Sequence, residues 1–395
     1  MNKCLYELKV LLKYCLLILL LVLPVLLAAQ PNVVVGAERT DLYFHLCQNK
    51  KIGLVVNHTS LINHTHLVDS LLLSGFNIQT IFSPEHGFRG ETAAGDAVKN
   101  SIDPKTNLKI CSLYGVNKKP SKTQLSNVDI VIFDLQDVGT RFYTYISTLA
   151  YVMEACQELN IPLVVLDRPN PNASFIDGPT LHKDYASFVG MYRIPAVYGM
   201  TIGEYALMVN GEHWLPNSSK QLNLTVIPLL NYTHKTKYKL PVNPSPNLPN
   251  MNAVKLYPSL CFFEGTCMSV GRGTNTPFEV IGYPDIDDGE ISFTPKSVTA
   301  APNPKLMNQL CYGYAFDYEK DTEFQDKINV DIIIKCYNKL KDKSTFFIPF
   351  FDKLAGTDQL RTQIEAGLTE EQIRSSWQND INDFLLIRKK YLLYD

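Results

Sequence analysis

Short apolar runs separated by turn residues recur through the first half of the chain. Their length and composition are typical of buried strands, which we predict at residues 51–56, 77–82, 128–133 and 162–166. Residues 66–73 and 144–159 have the apolar spacing of helices, and Asn160 and Pro162 end the second helix. This repeated order of strand, turn, helix and strand predicts right-handed βαβ units around one parallel sheet.

The strand and helix pattern weakens after about residue 225. Prolines then predict an irregular segment that crosses between domains or forms the wall of a cleft: Pro241, Pro244, Pro246, Pro249 and Pro258. Helical spacing returns at residues 369–374 and 377–391, where Thr369 and Gln372 fit a capping box. The sequence therefore predicts an α/β fold whose second half is organised differently from the first.

Three of the predicted strands are each followed by a polar turn. The turns span residues 83–90 (SPEHGFRG), 134–141 (DLQDVGTR) and 167–171 (DRPNP). In an open α/β sheet the carboxyl ends of parallel strands form the edge where ligands bind. This edge gathers the candidate site residues Glu85, His86, Arg89, Asp134, Gln136, Asp137, Arg141, Asp167 and Arg168. The alternative is that these are ordinary polar surface turns.

A fourth polar cluster lies in the second half of the chain. Glu264 follows two phenylalanines, and Arg272 lies between Gly271 and Gly273. Such glycines allow a ligand to approach the backbone closely. The segment matches neither G-x-G-x-x-G nor the P-loop pattern, so it gives no support to phosphate binding. A hairpin that merely contains glycine is the alternative interpretation.

The first 29 residues have the pattern of an export signal. Lys3, Lys9 and Lys13 precede sixteen uncharged residues that end at Ala28 and Ala29. Sixteen residues are short for a membrane-spanning helix, which needs about 20. We therefore expect a cleaved signal over residues 1–29 and a periplasmic protein with no stable membrane span. Secretion and an uncleaved anchor are the alternatives.

Composition narrows the possible partners and cofactors. Residues 30–395 hold 34 basic and 38 acidic side chains without a basic stripe, which disfavours nucleic-acid binding. Seven cysteines remain; Cys261 and Cys267 would be able to pair in an exported protein, with buried free thiols as the alternative. The histidines at 58, 64 and 66 match no standard metal spacing. We therefore expect no metal, no organic cofactor and a monomer.

Five ordered motifs together resemble the exo-β-N-acetylmuramidase family of bacterial cell-wall recycling. They are SPEHGFRG at 83–90, DLQDVGTRFY at 134–143, DRPNP at 167–171, GMTIGE at 199–204, and FEGT at 263–266 with GRGT at 271–274. The resemblance extends from Lys51 to the C-terminal KYLLY at 390–394. It implies a Rossmann-like domain, here residues 31–240, and a smaller α+β domain, residues 241–395, with an active-site cleft between them.

The resemblance also implies a reaction and a catalytic pair. Members of this family remove single N-acetylmuramic acid units from the non-reducing ends of peptidoglycan fragments, and two glutamates in the cleft are the suspected catalytic residues. Glu85 and Glu264 occupy the matching motif positions, while Asp96 stands where a glutamate is expected. Peptidoglycan-derived saccharides are therefore the expected partners.

The residue chemistry fits this reaction independently of the resemblance. Glycoside hydrolysis uses two carboxyl groups that flank the bond, so we expect Glu85 as general acid and Glu264 as base, nucleophile or acetamido-orienting group. A planar cation suits the lactyl carboxylate of muramic acid, and the candidates are Arg141, Arg168 and Arg272. For each arginine a structural ion pair with a nearby aspartate is the alternative. Asp134, Gln136 and Asp137 would hydrogen-bond sugar hydroxyls or else fix their turn.

Two other classes of protein remain open from the sequence. A non-catalytic periplasmic muropeptide- or sugar-binding protein would share a two-domain cleft but would not need two carboxylates directed at one bond. A nucleotide-dependent enzyme would explain the α/β half, but the glycine fingerprint is missing from the strand-to-helix turns. Glu85, Asp134 and Asp167 should all lie at carboxyl ends of strands, facing Glu264 across the cleft.

Overall fold

The apolar runs of the first half form a seven-stranded sheet in a computed structural model that describes residues 13–14, 32–85, 87–88 and 100–395. The strands of the described chain are β1 (Lys51–Val56), β2 (Leu61–Ile62), β3 (Thr65–His66), β4 (Asn77–Ser83), β5 (Ser101–Ile102), β6 (Lys109–Ser112), β7 (Ile130–Asp134), β8 (Leu163–Leu166), β9 (Asp177–Thr180), β10 (Pro195–Val197), β11 (Leu224–Ile227), β12 (Val280–Tyr283), β13 (Ile291–Phe293) and β14 (Cys311–Ala315).

The large sheet has the order β11-β8-β7-β1-β4-β6-β5, and its neighbouring strands are parallel except for the antiparallel β5–β6 pair. The predicted parallel sheet is thereby confirmed. β1 lies near the centre and is buried at every position after Lys51. The chain adds β4 and β6 on one side of β1, then β7, β8 and β11 on the other. Such a reversal creates the crevice where α/β folds bind ligands.

The α-helices of the described chain connect and cover these strands. They are α1 (Phe44–Cys47), α2 (Leu67–Leu73), α3 (Lys122–Leu125), α4 (Tyr145–Leu159), α5 (Ile202–Gly211), α6 (Met251–Leu260), α7 (Val330–Lys339), α8 (Phe350–Ala355), α9 (Gln359–Glu365) and α10 (Glu370–Arg388). Helix α4 ends at Asn160 in the left-handed conformation, as its sequence predicts. The capping box of Thr369 and Gln372 opens α10, which joins both predicted C-terminal helical runs.

A smaller part of the fold is built on an antiparallel sheet. Strands β12, β14 and β13 pair in that order, and helices α7 to α10 follow them in the chain. The second half is therefore α+β, in agreement with the predicted fold class. Val34–Asp395 packs as one compact unit, and the predicted division at residue 240 stays a prediction.

Helix α6 corrects the expectation that the proline-punctuated segment is irregular as far as Pro258. Pro258 lies inside α6, where it has no N–H to donate to the carbonyl of Val254. The Asn172 side chain donates to that carbonyl instead, with Nδ2 at 3.1 Å from the oxygen. Because a distant residue supplies the missing donor, the helix continues to Leu260 and leads directly into the 3₁₀ turn Cys261–Gly265.

Two sequence expectations concern the membrane and the cysteines. None of the helices described is both long and apolar enough to cross a membrane. Most of the proposed signal, residues 1–29, lies outside the described residues, so the signal stays a prediction. All seven cysteines of the described chain are free thiols, which includes Cys261 and Cys267.

Candidate active site

Glu85 lies just beyond the carboxyl end of strand β4. Pro84 follows the last strand residue, and Gly87 takes a positive φ of 76°, so the chain turns away from the sheet here. The Glu85 side chain is half-buried, and the Thr144 hydroxyl donates to its Oε2 at 3.4 Å. His86, Arg89 and Asp96 lie outside the described residues.

Glu264 is carried by the 3₁₀ turn that continues α6. Its carboxylate forms an ion pair with Arg272, with Nε 2.5 Å from Oε1 and Nη2 3.2 Å from Oε2. The guanidinium also lies 4.9 Å from the centroid of the Phe278 ring. Burial by itself lowers the pKa of Arg272, but the adjacent Glu264 charge outweighs burial and leaves the pKa above its usual range. The pair therefore fixes Glu264 in one orientation.

Lys305 holds the backbone that carries Glu264. Its ammonium donates to three backbone carbonyls of the turn: Phe263 at 3.2 Å, Glu264 at 3.2 Å, and Thr266. A cation at the C-terminal end of a helix satisfies carbonyls that have no partner within the helix. Burial lowers the pKa of the Lys305 ammonium, and the nearby Glu264 charge opposes this effect. The turn is thus fixed from a segment 40 residues away in sequence.

Glu85 and Glu264 line the same cavity. This active-site cavity has a volume of about 520 Å³, and its wall includes Arg272, Lys305 and aromatic rings such as Tyr257. A smaller chamber of about 50 Å³ adjoins Glu85 and Arg272 and is also lined by Ser245 and Asn247. The proline-rich segment therefore does form part of the wall, as expected. The volume of the active-site cavity, about 520 Å³, is within the range of small-ligand sites.

Asp134 and Asp167 lie at the predicted strand ends but are buried and do not line the described cavity. Asp134 ends β7 and pairs with Arg168, whose Nε is 2.5 Å from Oδ1 and whose Nη2 is 2.8 Å from Oδ2. Asp167, directly after β8, accepts hydrogen bonds from Thr201, Gly203 and Tyr394. Burial raises the pKa of Asp167 to about 7. Both aspartates thus bind other parts of the protein.

Gln136 and Asp137 stabilise the turn that follows strand β7. The Gln136 amide donates to the carbonyls of Asp137 at 2.8 Å and Pro169 at 2.7 Å. Asp137 Oδ2 accepts from the backbone of Gly139 at 2.6 Å and from the Tyr198 hydroxyl at 2.5 Å. Burial raises the pKa of Asp137 to about 7, although these hydrogen bonds oppose the rise. These contacts match the turn-fixing alternative.

Arg141 is completely buried. Its Nη1 donates to the carbonyls of Pro179 and Ile194, and its Nη2 donates to those of Leu354 and Ala355. Burial lowers the pKa of the guanidinium to about 9. Four backbone carbonyls hold the Arg141 side chain, and no described aspartate forms the ion pair that the sequence left open. This arginine therefore connects the β9–β10 hairpin to helix α8 instead of reaching the active-site cavity.

Sequence reasoning missed two polar residues of the site. The sequence pattern predicts Thr144 only as the start of a helix, although this residue belongs to the run RFYT that extends the second motif. Lys305 lies in a stretch with no recognisable motif, and no local signal identifies it. Among the described residues, no group of three or more histidine, cysteine, aspartate or glutamate side chains is placed to hold a metal ion.

Known proteins resemble this chain along nearly its whole length. It is 40% identical over 391 residues to the peptidoglycan beta-N-acetylmuramidase NamZ of Bacillus subtilis (strain 168), which covers 93% of this chain and 92% of that protein. Two crystal structures of DUF1343 family proteins from Bacteroides fragilis NCTC 9343 superpose with TM-scores of 0.85 and 0.76, at 48% and 27% identity. Each superposition covers 92% of this chain and 99% of the Bacteroides fragilis chain.

Family models agree with these comparisons. The model for the N-terminal part of exo-beta-N-acetylmuramidase NamZ matches residues 52–252, and the model for its C-terminal part matches residues 255–394. The two matches include both glutamates of the cavity and all five motifs. The chain therefore belongs to the NamZ family of exo-β-N-acetylmuramidases.

Proposed function

We propose that this protein is an exo-acting glycoside hydrolase that releases N-acetylmuramic acid from the non-reducing end of peptidoglycan fragments during cell-wall turnover. Its family membership supports this reaction, as does its 40% identity to a peptidoglycan β-N-acetylmuramidase. The observation that carries the proposal is that Glu85 and Glu264 come from distant parts of the chain and line one cavity. Two carboxyl groups at one site are what glycoside hydrolysis requires.

The two glutamates are proposed to have different roles because their surroundings differ. Glu85 accepts a hydrogen bond from the Thr144 hydroxyl in a cavity also lined by Phe142 and Tyr257, and it is proposed to protonate the leaving glycosidic oxygen. Glu264 forms an ion pair with Arg272, and it is proposed to support the oxocarbenium-like centre as base, nucleophile or acetamido-orienting group. His86 and Arg89, next to Glu85 in the same motif, remain proposed substrate contacts.

Arg272 is proposed to bind the lactyl carboxylate that distinguishes muramic acid from glucosamine. Its Nε and Nη2 face Glu264, while Nη1 makes no hydrogen bond to another described residue. Arg272 lines the active-site cavity, whereas Arg141 and Arg168 are buried elsewhere. We therefore assign Arg141 and Arg168, with Asp134, Gln136, Asp137 and Asp167, to structural roles outside the cavity.

The decisive experiment compares two chromogenic substrates. Purified protein lacking residues 1–29 is incubated with a nitrophenyl β-N-acetylmuramide and with the matching β-N-acetylglucosaminide. We expect rapid release of nitrophenol from the muramide and little from the glucosaminide. With peptidoglycan fragments, free N-acetylmuramic acid should accumulate while internal cleavage products do not. Tight muramide binding without turnover would instead indicate a binding protein.

The location of the protein follows from its substrate. A peptidoglycan-acting enzyme works where cell-wall material is present, and we further propose export to the periplasm through cleavage of residues 1–29. The mature protein is proposed to be a monomer. N-terminal sequencing of the periplasmic protein tests the cleavage, and light scattering tests the mass. An intact N-terminus in the membrane fraction would favour an uncleaved anchor.

A further inference from the structure

Three lysines lie at alternate positions of one short segment. Lys235, Lys237 and Lys239 are exposed, while Thr236 and Tyr238 between them are half-buried. Exposed positive charges therefore recur at every second residue of this segment. None of the three lysines forms an ion pair with another described residue. The segment is anchored by His234, whose Nε2 lies 2.8 Å from buried Glu204.

These lysines line a second cavity, which we call the lysine cavity. Its volume is about 650 Å³, larger than the active-site cavity, and its floor includes the first turns of α6 with Asn252 and Lys255. The two cavities share no lining residue among those described. Asn252 and Glu264 lie at opposite ends of the continuous α6 and 3₁₀ helix, roughly 20 Å apart at ~1.5–2 Å per residue.

Lys255 places a further positive charge at the floor of the lysine cavity. Its ammonium donates to the carbonyl of Pro171 and lies 5.6 Å from the centroid of the Tyr318 ring. Burial lowers its pKa, and nearby Asp326 and Glu319 oppose the shift. A buried ammonium bound by a neutral carbonyl and a ring face would be stabilised by an incoming anion.

Acidic residues also line the lysine cavity. They are Asp317, Glu319 and Asp326; Asp317 pairs with Lys320 and Asp326 accepts from Ser174. A polymer that carries only phosphate charges would be attracted by the lysines and repelled by these carboxylates. A peptide has carboxylates for the lysines and N–H donors for the acidic side chains. The charge distribution therefore favours a peptide.

We propose that the lysine cavity is a second binding site that takes a carboxylate-bearing peptide substituent of the peptidoglycan polymer. This inference rests on the proposed function, because that function supplies a polymer made of glycan and peptide. The site holds the polymer at a place other than the cleavage site and raises the local concentration of chain ends near Glu85 and Glu264.

A matched pair of triple variants tests the site. One variant carries Lys235→Gln, Lys237→Gln and Lys239→Gln. The control carries Lys339→Gln, Lys341→Gln and Lys343→Gln, which removes the same number of exposed charges at the same spacing. Co-sedimentation at 4 °C measures binding to purified sacculi, and to the same sacculi after an amidase has removed their peptides.

We expect the first triple variant to bind intact sacculi about 10-fold or more weakly than wild type, which corresponds to ~1.4 kcal/mol. The control should bind like wild type, and wild-type binding should fall on peptide removal and at high salt. If the two triple variants bind intact sacculi equally well, the lysine cavity is not a binding site. If wild type binds peptide-free glycan as well as intact sacculi, the ligand is not the peptide. Chromogenic muramide turnover should be unchanged; its absence in wild type would contradict the proposed function instead.

Discussion

Arg272 contacts both carboxylate oxygens of Glu264, with Nε 2.5 Å from Oε1 and Nη2 3.2 Å from Oε2. The planar guanidinium thereby fixes the orientation of a proposed catalytic group, and its Nη1 is the group proposed to bind the substrate. One side chain would then serve both catalysis and substrate selection. Changes at Arg272 should separate these two effects.

Replacing Arg272 should reduce discrimination between muramides and glucosaminides. Loss of a charge-assisted hydrogen bond of ~1.5–3 kcal/mol predicts a roughly 10- to 150-fold smaller ratio of kcat/KM values in Arg272→Ala. Arg272→Lys keeps the charge without the planar fork and should also lower kcat on both sugars. Steady-state kinetics on both chromogenic substrates measure this. Equal losses on the two sugars in Arg272→Ala would reject lactyl recognition by this residue.

The leaving group should distinguish the two glutamates. Glu85→Gln removes a transferable proton, so turnover of a natural disaccharide should fall by ~10²–10⁴-fold. The loss should be smaller for a nitrophenyl muramide, because nitrophenolate leaves with little protonation. Glu264→Gln should impair both substrates similarly. The opposite leaving-group dependence would exchange the roles, and near-normal activity of Glu85→Gln would remove Glu85 from the mechanism.

Lys305 is expected to act as a positioning residue for Glu264. Lys305→Met removes the ammonium that binds three turn carbonyls, of which, among the described residues, only that of Phe263 keeps other donors in Thr266, so the turn should shift and kcat should fall about 10-fold or more, as for ~1.4 kcal/mol of lost transition-state stabilisation. KM should change little, and Lys305→Arg should restore part of kcat. A fall in thermal stability with kcat per folded molecule unchanged would indicate a purely structural role.

Breaking the buried pair of Asp134 and Arg168 should affect stability more than substrate binding. Removing one partner of a buried ion pair typically costs ~3–5 kcal/mol, so Arg168→Gln should lower the free energy of unfolding by about that amount. Urea unfolding measures the loss, and kinetics at 15 °C measure KM of the folded fraction. A large rise in KM at wild-type stability would return Arg168 to the substrate contacts.

Asp137 should make stability depend on pH. Burial raises its pKa to about 7 in the folded protein, well above the ~3.9 of an unfolded aspartate. The folded state therefore binds the proton more tightly, and stability falls as pH rises from about 4 to 7. Asp137→Asn cannot ionise, so its Tm relative to wild type should increase between pH 5 and pH 8. If the Tm difference between Asp137→Asn and wild type is the same at pH 5 and pH 8, the pKa of Asp137 is not raised by folding.

Local patterns in the sequence were enough to predict the main strands and helices of the first half and one of the two glutamates at the end of a strand. Strands β1, β4, β7 and β8 were predictable because a buried strand is a short apolar run between turn residues. Helix α4 was predictable to its last turn because Asn160 tolerates the left-handed cap. The position of Glu85 just past a strand end was also predictable, because β4 ends at Ser83, directly before Pro84.

Which polar groups line the cavity depends on contacts between distant segments and was not predictable from local sequence patterns. Arg141 and Arg272 are both candidates for the lactyl carboxylate in the sequence, but Arg141 donates to four backbone carbonyls and Arg272 lines the cavity. Lys305 reaches the Glu264 turn, and Asn172 allows Pro258 inside α6, through contacts between residues more than 30 positions apart. Such contacts depend on packing among distant segments, which leaves no periodicity in the sequence.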